Sequence, residues 1–252
     1  MNLFFGTVYT LWLREVKRFV RNKSRLIGSM AMPALFLVVL GSGFSRVFRY
    51  QSDVSYVEFI GPGIVAMSLL FSSMFGGLNV LWDKQFGFLK EILVAPVSRI
   101  GIMAGKTLGT VTTSMVKAGV FLVALLALRL ARPDPAGLLM AVTFMFLISA
   151  SFTSLGIAFA SQMKDPHGFQ LIMNFLIMPV FFLSGALFPL EGQSQWLTLL
   201  THLNPLTYGV DGMRYALGAS HAFSPTLSMG VLLLFWTCAT VVGTVLFGRM
   251  AA

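Results

Sequence analysis

Three observations predict an all-α integral membrane protein. The composition is 56% hydrophobic with only 11% charged residues, and the mean hydropathy is +0.82. A soluble domain carries about 25% charge. Six apolar stretches are each long enough to cross a hydrocarbon core about 30 Å thick, which takes roughly 20 helical residues. No run of about ten residues alternates as a transmembrane β-strand does. Backbone groups in lipid must be satisfied within the segment, so the six stretches are read as helices. The whole chain, 1–252, is predicted as one transmembrane domain.

The elements follow in order. Residues 1–25 place Phe5, Tyr9, Trp12, Val16 and Phe19 at helical spacing, with Arg14, Arg18, Arg21 and Arg25 on another face. That pattern predicts a helix lying in the membrane interface, its arginines turned to headgroups. The predicted spans are Leu26–Phe44, Phe59–Leu81, Ile102–Leu128, Leu138–Ala160, Phe169–Leu187 and Leu227–Phe247. Arg46–Glu58 is a loop after the first. Between the second and third, residues 82–101 hold Phe88–Arg99, FLKEILVAPVSR. This short amphipathic piece ends at a proline and cannot cross the bilayer. Pro133 and Pro135 stop the helix in the turn Arg129–Gly137, and Lys164, Asp165 and Pro166 mark the turn Ser161–Gly168. Residues 189–226 are too apolar for a free loop and too short to span. They predict two short re-entrant helices broken at Pro205. Cys238, the lone cysteine, lies inside the last span. It can form no internal disulfide and is expected to be a small buried apolar residue.

Lysine and arginine placement gives orientation. With the N-terminus cytosolic, twelve basic residues fall inside: Arg14, Lys17, Arg18, Arg21, Lys23, Arg25, Lys84, Lys90, Arg99, Lys106, Lys164 and Arg249. Five fall outside: Arg46, Arg49, Arg129, Arg132 and Arg214. Both termini are therefore expected in the cytosol, and the first span is read as a retained anchor rather than a cleaved leader. The net charge of +9 reads as membrane orientation. The basic residues flank spans and build no base-stacking surface, so no nucleic-acid partner is expected.

Catalytic chemistry is absent from the pattern. Gly101-Ile-Met-Ala-Gly-Lys-Thr107 has three residues between its glycines where a phosphate-binding loop needs four, and no strand precedes it. Gly101, Gly105 and Gly109 read better as a stripe of small residues that admits another helix. His167, His202 and His221 belong to no metal-ligand cluster, and no metal site is expected. The carboxylates lie at span edges or in loops. Ser184-Gly185 lacks the setting of a nucleophile. Lys117 is the one charge in mid-span, about 16 Å of helical rise beyond Lys106, with no evident acid to pair with it. It either faces a watery crevice or snorkels, or it lines a translocation route or bonds carbonyls in a broken helix.

Several motifs together carry a resemblance. They are Phe59-Ile-Gly-Pro-Gly63, Leu89–Pro96 (LKEILVAP), Phe182-Leu-Ser-Gly-Ala-Leu-Phe-Pro189, Leu203-Asn-Pro-Leu-Thr-Tyr208 and Asp211-Gly-Met-Arg-Tyr215. In this order and spacing, over essentially the whole chain, the sequence resembles the membrane subunit of a type-2 ATP-binding-cassette exporter. That group includes daunorubicin-type drug, Nod-factor and O-antigen exporters.

The resemblance implies a permease in the plasma membrane of a prokaryote. Two membrane subunits, a homodimer or a heterodimer, would pair with two cytosolic ATPase subunits that bind ATP and Mg. This chain would hold no cofactor and would not be an enzyme itself. The coupling segment would run from Leu89 through Glu91, Leu93, Ala95, Pro96 and Ser98 to Arg99. The interfacial helix, with Trp12, Arg14, Arg18 and Arg21, would carry motion to the spans. The route would run between the two copies. Lys117 and the fifth-span residues Asn174, Met178, Phe181, Phe182 and Ser184 are candidates for its wall, and packing at the dimer seam is equally open for the latter set. Asp211 and Arg214, three apart on a predicted helix, could pair, as a structural contact or as a substrate clamp. The cargo expected first is a hydrophobic or amphipathic small molecule. A lipid-linked polysaccharide or lipo-oligosaccharide is the alternative, and a channel or secondary transporter the third reading.

Overall fold

The computed structural model describes residues 3–48, 55–88, 97–190 and 194–249. All regular structure among them is helical: α1 (Leu3–Arg21), α2 (Lys23–Phe48), α3 (Tyr56–Met74), α4 (Gly77–Gln85), α5 (Arg99–Ala127), α6 (Pro135–Gln162), α7 (Pro166–Phe182), α8 (Gln195–Leu203), α9 (Pro205–Ala216) and α10 (Pro225–Arg249). The starts of several are written in their sequence. Ser98, Asp134, Asp165 and Asn204 each accept a hydrogen bond from a backbone N–H of the first turn. Proline follows the last three at the first helical position, where no N–H is needed.

Four runs are long and apolar enough to cross a membrane: Tyr56–Gln85, which joins α3 and α4 through a break at Phe75–Gly76, Arg99–Ala127, Pro135–Gln162 and Pro225–Gly248. They match the expected second, third, fourth and sixth spans. The first and fifth correspond to the shorter apolar helices Ile27–Gly43 and Pro166–Phe182. The fifth ends five residues before the expected Leu187. Pro179 sits in its last turn, and Gly185 takes φ +70°, a left-handed conformation open to glycine. The chain turns there under protein cover, with Ser184 to Leu187 all buried.

The core is continuous. α3 is buried along nearly its whole length, with Ile60, Ile64, Leu69 and Leu70 at 1% exposure or less. Around it α5, α6, α7 and α9 contribute Phe121, Phe144, Phe169 and Val210. Helix association inside lipid relies on close packing and polar contacts rather than hydrophobic burial. The buried hydroxyls fit that role: Ser73 bonds Ser149 at 2.9 Å, and Ser154 bonds Thr240 at 3.1 Å. Cys238 is exposed, which corrects the expectation of burial. It shares the outer flank of α10 with exposed Leu234, Val241 and Val245. In a span, an exposed small apolar side chain meets lipid, so it has no need of the core.

Candidate functional site

The N-terminal helix is built into the bundle by glycine. A Cβ on Gly105 would lie 2.9 Å from Leu11 Cβ, and one on Gly109 would lie 2.6 Å from Glu15 Cβ. Phe4 approaches Gly101, and Lys117 Nζ stands 5.6 Å from the Phe19 ring. Both residue numbers rise together, so α1 runs parallel to the first half of α5. The small-residue stripe thus admits α1. Trp12 Nε1 donates to Thr112 Oγ1 at 3.0 Å and fixes the register.

This docking turns two of the expected headgroup arginines inward. Asp83, 2% exposed near the end of α4, accepts two bonds from Arg14, at 2.7 and 2.9 Å. It also pairs with Lys106 of α5, and Arg18 lies 3.7 Å away. The hydrogen bond to Asp83 raises the Arg14 guanidinium above its ordinary value, so it is charged at every working pH. Glu15, also buried, accepts from Asn79 at 3.2 Å, and its Oε1 is 4.0 Å from Arg18 Nη1. Arg21 remains exposed.

The network stands at the base of the segment between α4 and α5. On the near side, Arg14 stacks on Phe88 with its Cζ 3.7 Å from the ring centroid. On the far side, Arg99 donates to the Gly248 carbonyl of α10 at 2.7 Å. Ser98 caps α5 and accepts from Gly101 N at 3.1 Å. Leu89, Glu91, Leu93, Ala95 and Pro96 lie outside the described residues.

Beside the network a cavity of about 420 Å³ opens between α1, α2, α3, α4 and α5, with Gln170 of α7 at its edge. Phe19, Met32, Phe71, Phe75 and Leu78 supply its apolar wall. Glu15, Arg18 and Lys117 supply its charge. Lys117 is half-buried. The cavity wall and the Phe19 ring account for its place in mid-helix.

The other candidate wall residues separate. Asn174 and Phe182 are exposed on α7, together with Leu171 and Phe175 at 72% and 82%, and Met178 is half-buried on that helix. Phe181 is fully buried against Phe36, and Ser184 donates to the Phe181 carbonyl at 2.6 Å. Lys117 and Ser184 are not brought together.

The opposite end of the bundle is fastened by α9. Arg214 donates to the Gly185 carbonyl at 2.7 Å and lies over Phe59 at 4.1 Å. Asn204 donates to the Val180 carbonyl at 2.6 Å, and Tyr56 to the Leu187 carbonyl at 3.1 Å. Asp211 accepts from the backbone N–H groups of Ala222 and Phe223, at 2.7 and 2.9 Å. The Asp211–Arg214 ion pair that the spacing allows is not formed: each side chain is held by backbone partners instead.

Asp83, Lys106 and Glu15 escaped the sequence reading. The usable signal was an acid just beyond an apolar span, with Arg14 and Arg18 one turn apart on an amphipathic helix elsewhere.

A bundle of apolar helices, four of them long enough to cross a membrane, defines an integral membrane protein, and its buried ionic joint and fastened far end suit a transport subunit. The chain belongs to the ABC-2 type transporter family, whose profile matches residues 7–217. It is 28% identical to the putative transport permease ycf38 of Cyanophora paradoxa, over 98% of this chain and 90% of that protein. It is 24% identical to the inner membrane transport permease YadH of Escherichia coli K12, over 93% and 92%. It is 26% identical to nodulation protein J of Neorhizobium galegae, over 83% and 80%.

Proposed function

We propose that this chain is the membrane-spanning half of an ATP-driven exporter in the plasma membrane of a prokaryote, with both termini in the cytosol. Two copies pair with two cytosolic ATPase subunits, which bind ATP and Mg. The observation that carries this reading is the Asp83 joint. It ties α1, α4 and α5 together near the end of α4 and the start of α5, so a push delivered through the residues that connect these two helices would reach three helices at once. Exposed Lys17 and Arg21 on α1 add a basic surface for the ATPase or for headgroups.

The cargo is a hydrophobic or amphipathic small molecule. The exposed face of α7, with Asn174, Met178 and Phe182, suits a route wall at the seam between two copies, where methionine and aromatic groups adapt to varied shapes. The amide and hydroxyl groups of Asn22, Ser29, Ser72 and Gln170 around the cavity favour a second reading, a lipid-linked saccharide.

Affinity purification of the tagged chain from its native membrane tests the first claim. A co-purifying ATP-binding-cassette ATPase is expected, and its hydrolysis should lose cargo stimulation in Glu91→Ala or Pro96→Leu. An isolated permease that transports without any ATPase would refute the reading.

A further inference from the structure

The second span is broken where α3 meets α4. Gly76 N donates to the Ser73 carbonyl at 3.0 Å, and Leu78 N and Asn79 N donate to the Phe75 and Gly76 carbonyls, each at 3.1 Å. These bonds reach back three residues, as in a 3₁₀ helix, rather than four. A 3₁₀ stretch inside a long helix marks a hinge or a strained sequence. The surroundings are fitted to bare backbone. A Cβ on Gly76 would collide with Thr110 Cγ2 of α5, and one on Gly77 with the Gly156 carbonyl of α6. Glycine lets the chain turn against both neighbours without a side chain in the way. On the remaining flank Phe75, Gly76, Leu78 and Asn79 border the cavity of about 420 Å³, so the break has room to rearrange.

The other end of α4 has an unspent partner. Asp83 is bonded by Arg14 and Lys106. Arg18 Nη1 is buried and makes no hydrogen bond, with Asp83 Oδ1 3.7 Å away and Glu15 Oε1 4.0 Å away. An unmet buried donor costs stability, so Arg18 favours a shift that closes the gap. Going from 3.7 Å to an ordinary bond of about 2.9 Å takes roughly 0.8 Å.

The break can supply that shift. A 3₁₀ helix rises about 2.0 Å per residue and an α-helix about 1.5 Å, so converting three residues shortens the span by about 1.5 Å and turns α4 by about 20° per residue. The direction is also right. Gly61 meets Leu125, Gly76 meets Thr110 and Asp83 meets Lys106, so α3 and α4 run antiparallel to α5. Because α1 runs parallel to α5, drawing α4 toward α3 carries Asp83 from Arg14 toward Arg18. Lys84 donates to the Met163 carbonyl at the end of α6 at 3.2 Å, and its flexible stem follows a movement of this size.

We propose that the Phe75–Gly76 break is a two-position switch. Its 3₁₀ bonds convert to α-helical ones, α4 is drawn toward α3, and Asp83 exchanges Arg14 for Arg18. Each position leaves one arginine bonded and one waiting, which keeps the two close in energy. The switch needs neither ATP nor cargo, so it goes beyond the exporter reading.

Gly76–Gly77 is the only Gly-Gly pair in the chain. An amide–carbonyl correlation spectrum of the full-length chain in detergent, carrying glycine labelled with carbon-13 and nitrogen-15, therefore isolates the Gly77 amide. Relaxation dispersion of that signal reads exchange on the μs–ms scale. Wild type should show a minor state at about 0.1–10%. Arg14→Gln should raise the minor-to-major ratio about tenfold, the scale of one charge-assisted hydrogen bond. Arg14→Lys, which loses the paired geometry and keeps the charge, should raise it less and serves if Arg14→Gln does not stay monodisperse. Arg18→Gln should remove the exchange, and Arg18→Lys should restore it. A flat profile in both wild type and the Arg14 variant would overturn the proposal. So would equal changes in the Arg14 and Arg18 variants, because a merely structural joint loosens alike whichever arginine is lost. Failure to recover an ATPase with the tagged chain would leave these spectra unchanged, so the exporter reading and the switch fail separately.

Discussion

Replacing Asp83 by asparagine keeps the shape of the α1–α4–α5 joint and removes its only strongly shared negative charge. Three cations then face one another. Arg14 and Arg18 have 30% and 36% of their side chains exposed, so they can turn to water, and Arg14 keeps the Phe88 ring. Lys106 has 3% exposure and cannot. The penalty therefore falls mainly on one stranded ammonium. Breaking a buried pair from one side costs about 3–5 kcal/mol, and the neutral amide still accepts one bond, so about 3 kcal/mol is expected. For a chain of this size that lowers the melting temperature by roughly 6–12 °C. The assay is thermal unfolding in detergent followed by size-exclusion chromatography, on Asp83→Asn, Arg14→Gln and the double variant Asp83→Asn/Lys106→Met. Arg14→Gln should cost less than Asp83→Asn. The double variant should recover much of the loss, because methionine fills the lysine's volume without its charge. An Asp83→Asn protein that melts within about 2 °C of wild type, or a double variant no better than the single, would refute the argument.

Three further outcomes follow from the same geometry. Gly109→Leu puts a side chain into Glu15 Cβ and should cost about 1–3 kcal/mol, with faster hydrogen exchange across α1 than across α6; equal exchange in both would show that the stripe does not seat α1. Asp211→Ala strands two backbone donors at Ala222 and Phe223, and should cost about 3 kcal/mol against roughly half that for Asp211→Asn, which keeps one acceptor; melting curves that coincide for the two would remove the turn-fastening role. Asp165 is exposed, and its carboxyl is held below the usual range, first by the Gly168 N–H and then by that of His167. Its folded value is lower than its unfolded one, so the cap contributes above about pH 4 and is lost as pH falls through the folded value. Hydrogen exchange at the start of α7 should be flat from pH 8 to 5 after correction for intrinsic rates and rise below pH 4. Asp165→Asn should show no such rise.

The spans were legible because each is a local property, a run of apolar residues with a cap or a proline at its end. So was the amphipathicity of α1, and so was the stripe Gly101–Gly105–Gly109. What could not be read was where the arginine face of α1 points. Arg14 finds its acid 69 residues away, and Lys106 finds the same acid 23 residues away. Periodicity reports which residues share a face and not what the face meets. The Asp211–Arg214 pairing failed for the opposite reason. Spacing of three on a helix permits a bond, but Gly185 and the 222–223 turn offered backbone partners that no local rule contains. The fifth span was read too long because Phe182–Leu187, with Ser184 its one polar side chain, is otherwise apolar. Hydropathy cannot tell helix from a covered turn, although Gly185 marks the place.

The parallel seating of α1 against α5 has a consequence for biogenesis. α1 leaves the ribosome well before α5, and its groove is complete only when residue 117 has been made. At ordinary translation speeds, of about 5–20 residues per second, that is a delay on the order of 5 to 20 s. Until residue 83 has been made, an amphipathic helix with bare arginines must wait beside the translocation machinery without its acid. α1 is thus locked long after it is made, and a nascent chain stalled before α5 leaves an open hook on the membrane surface.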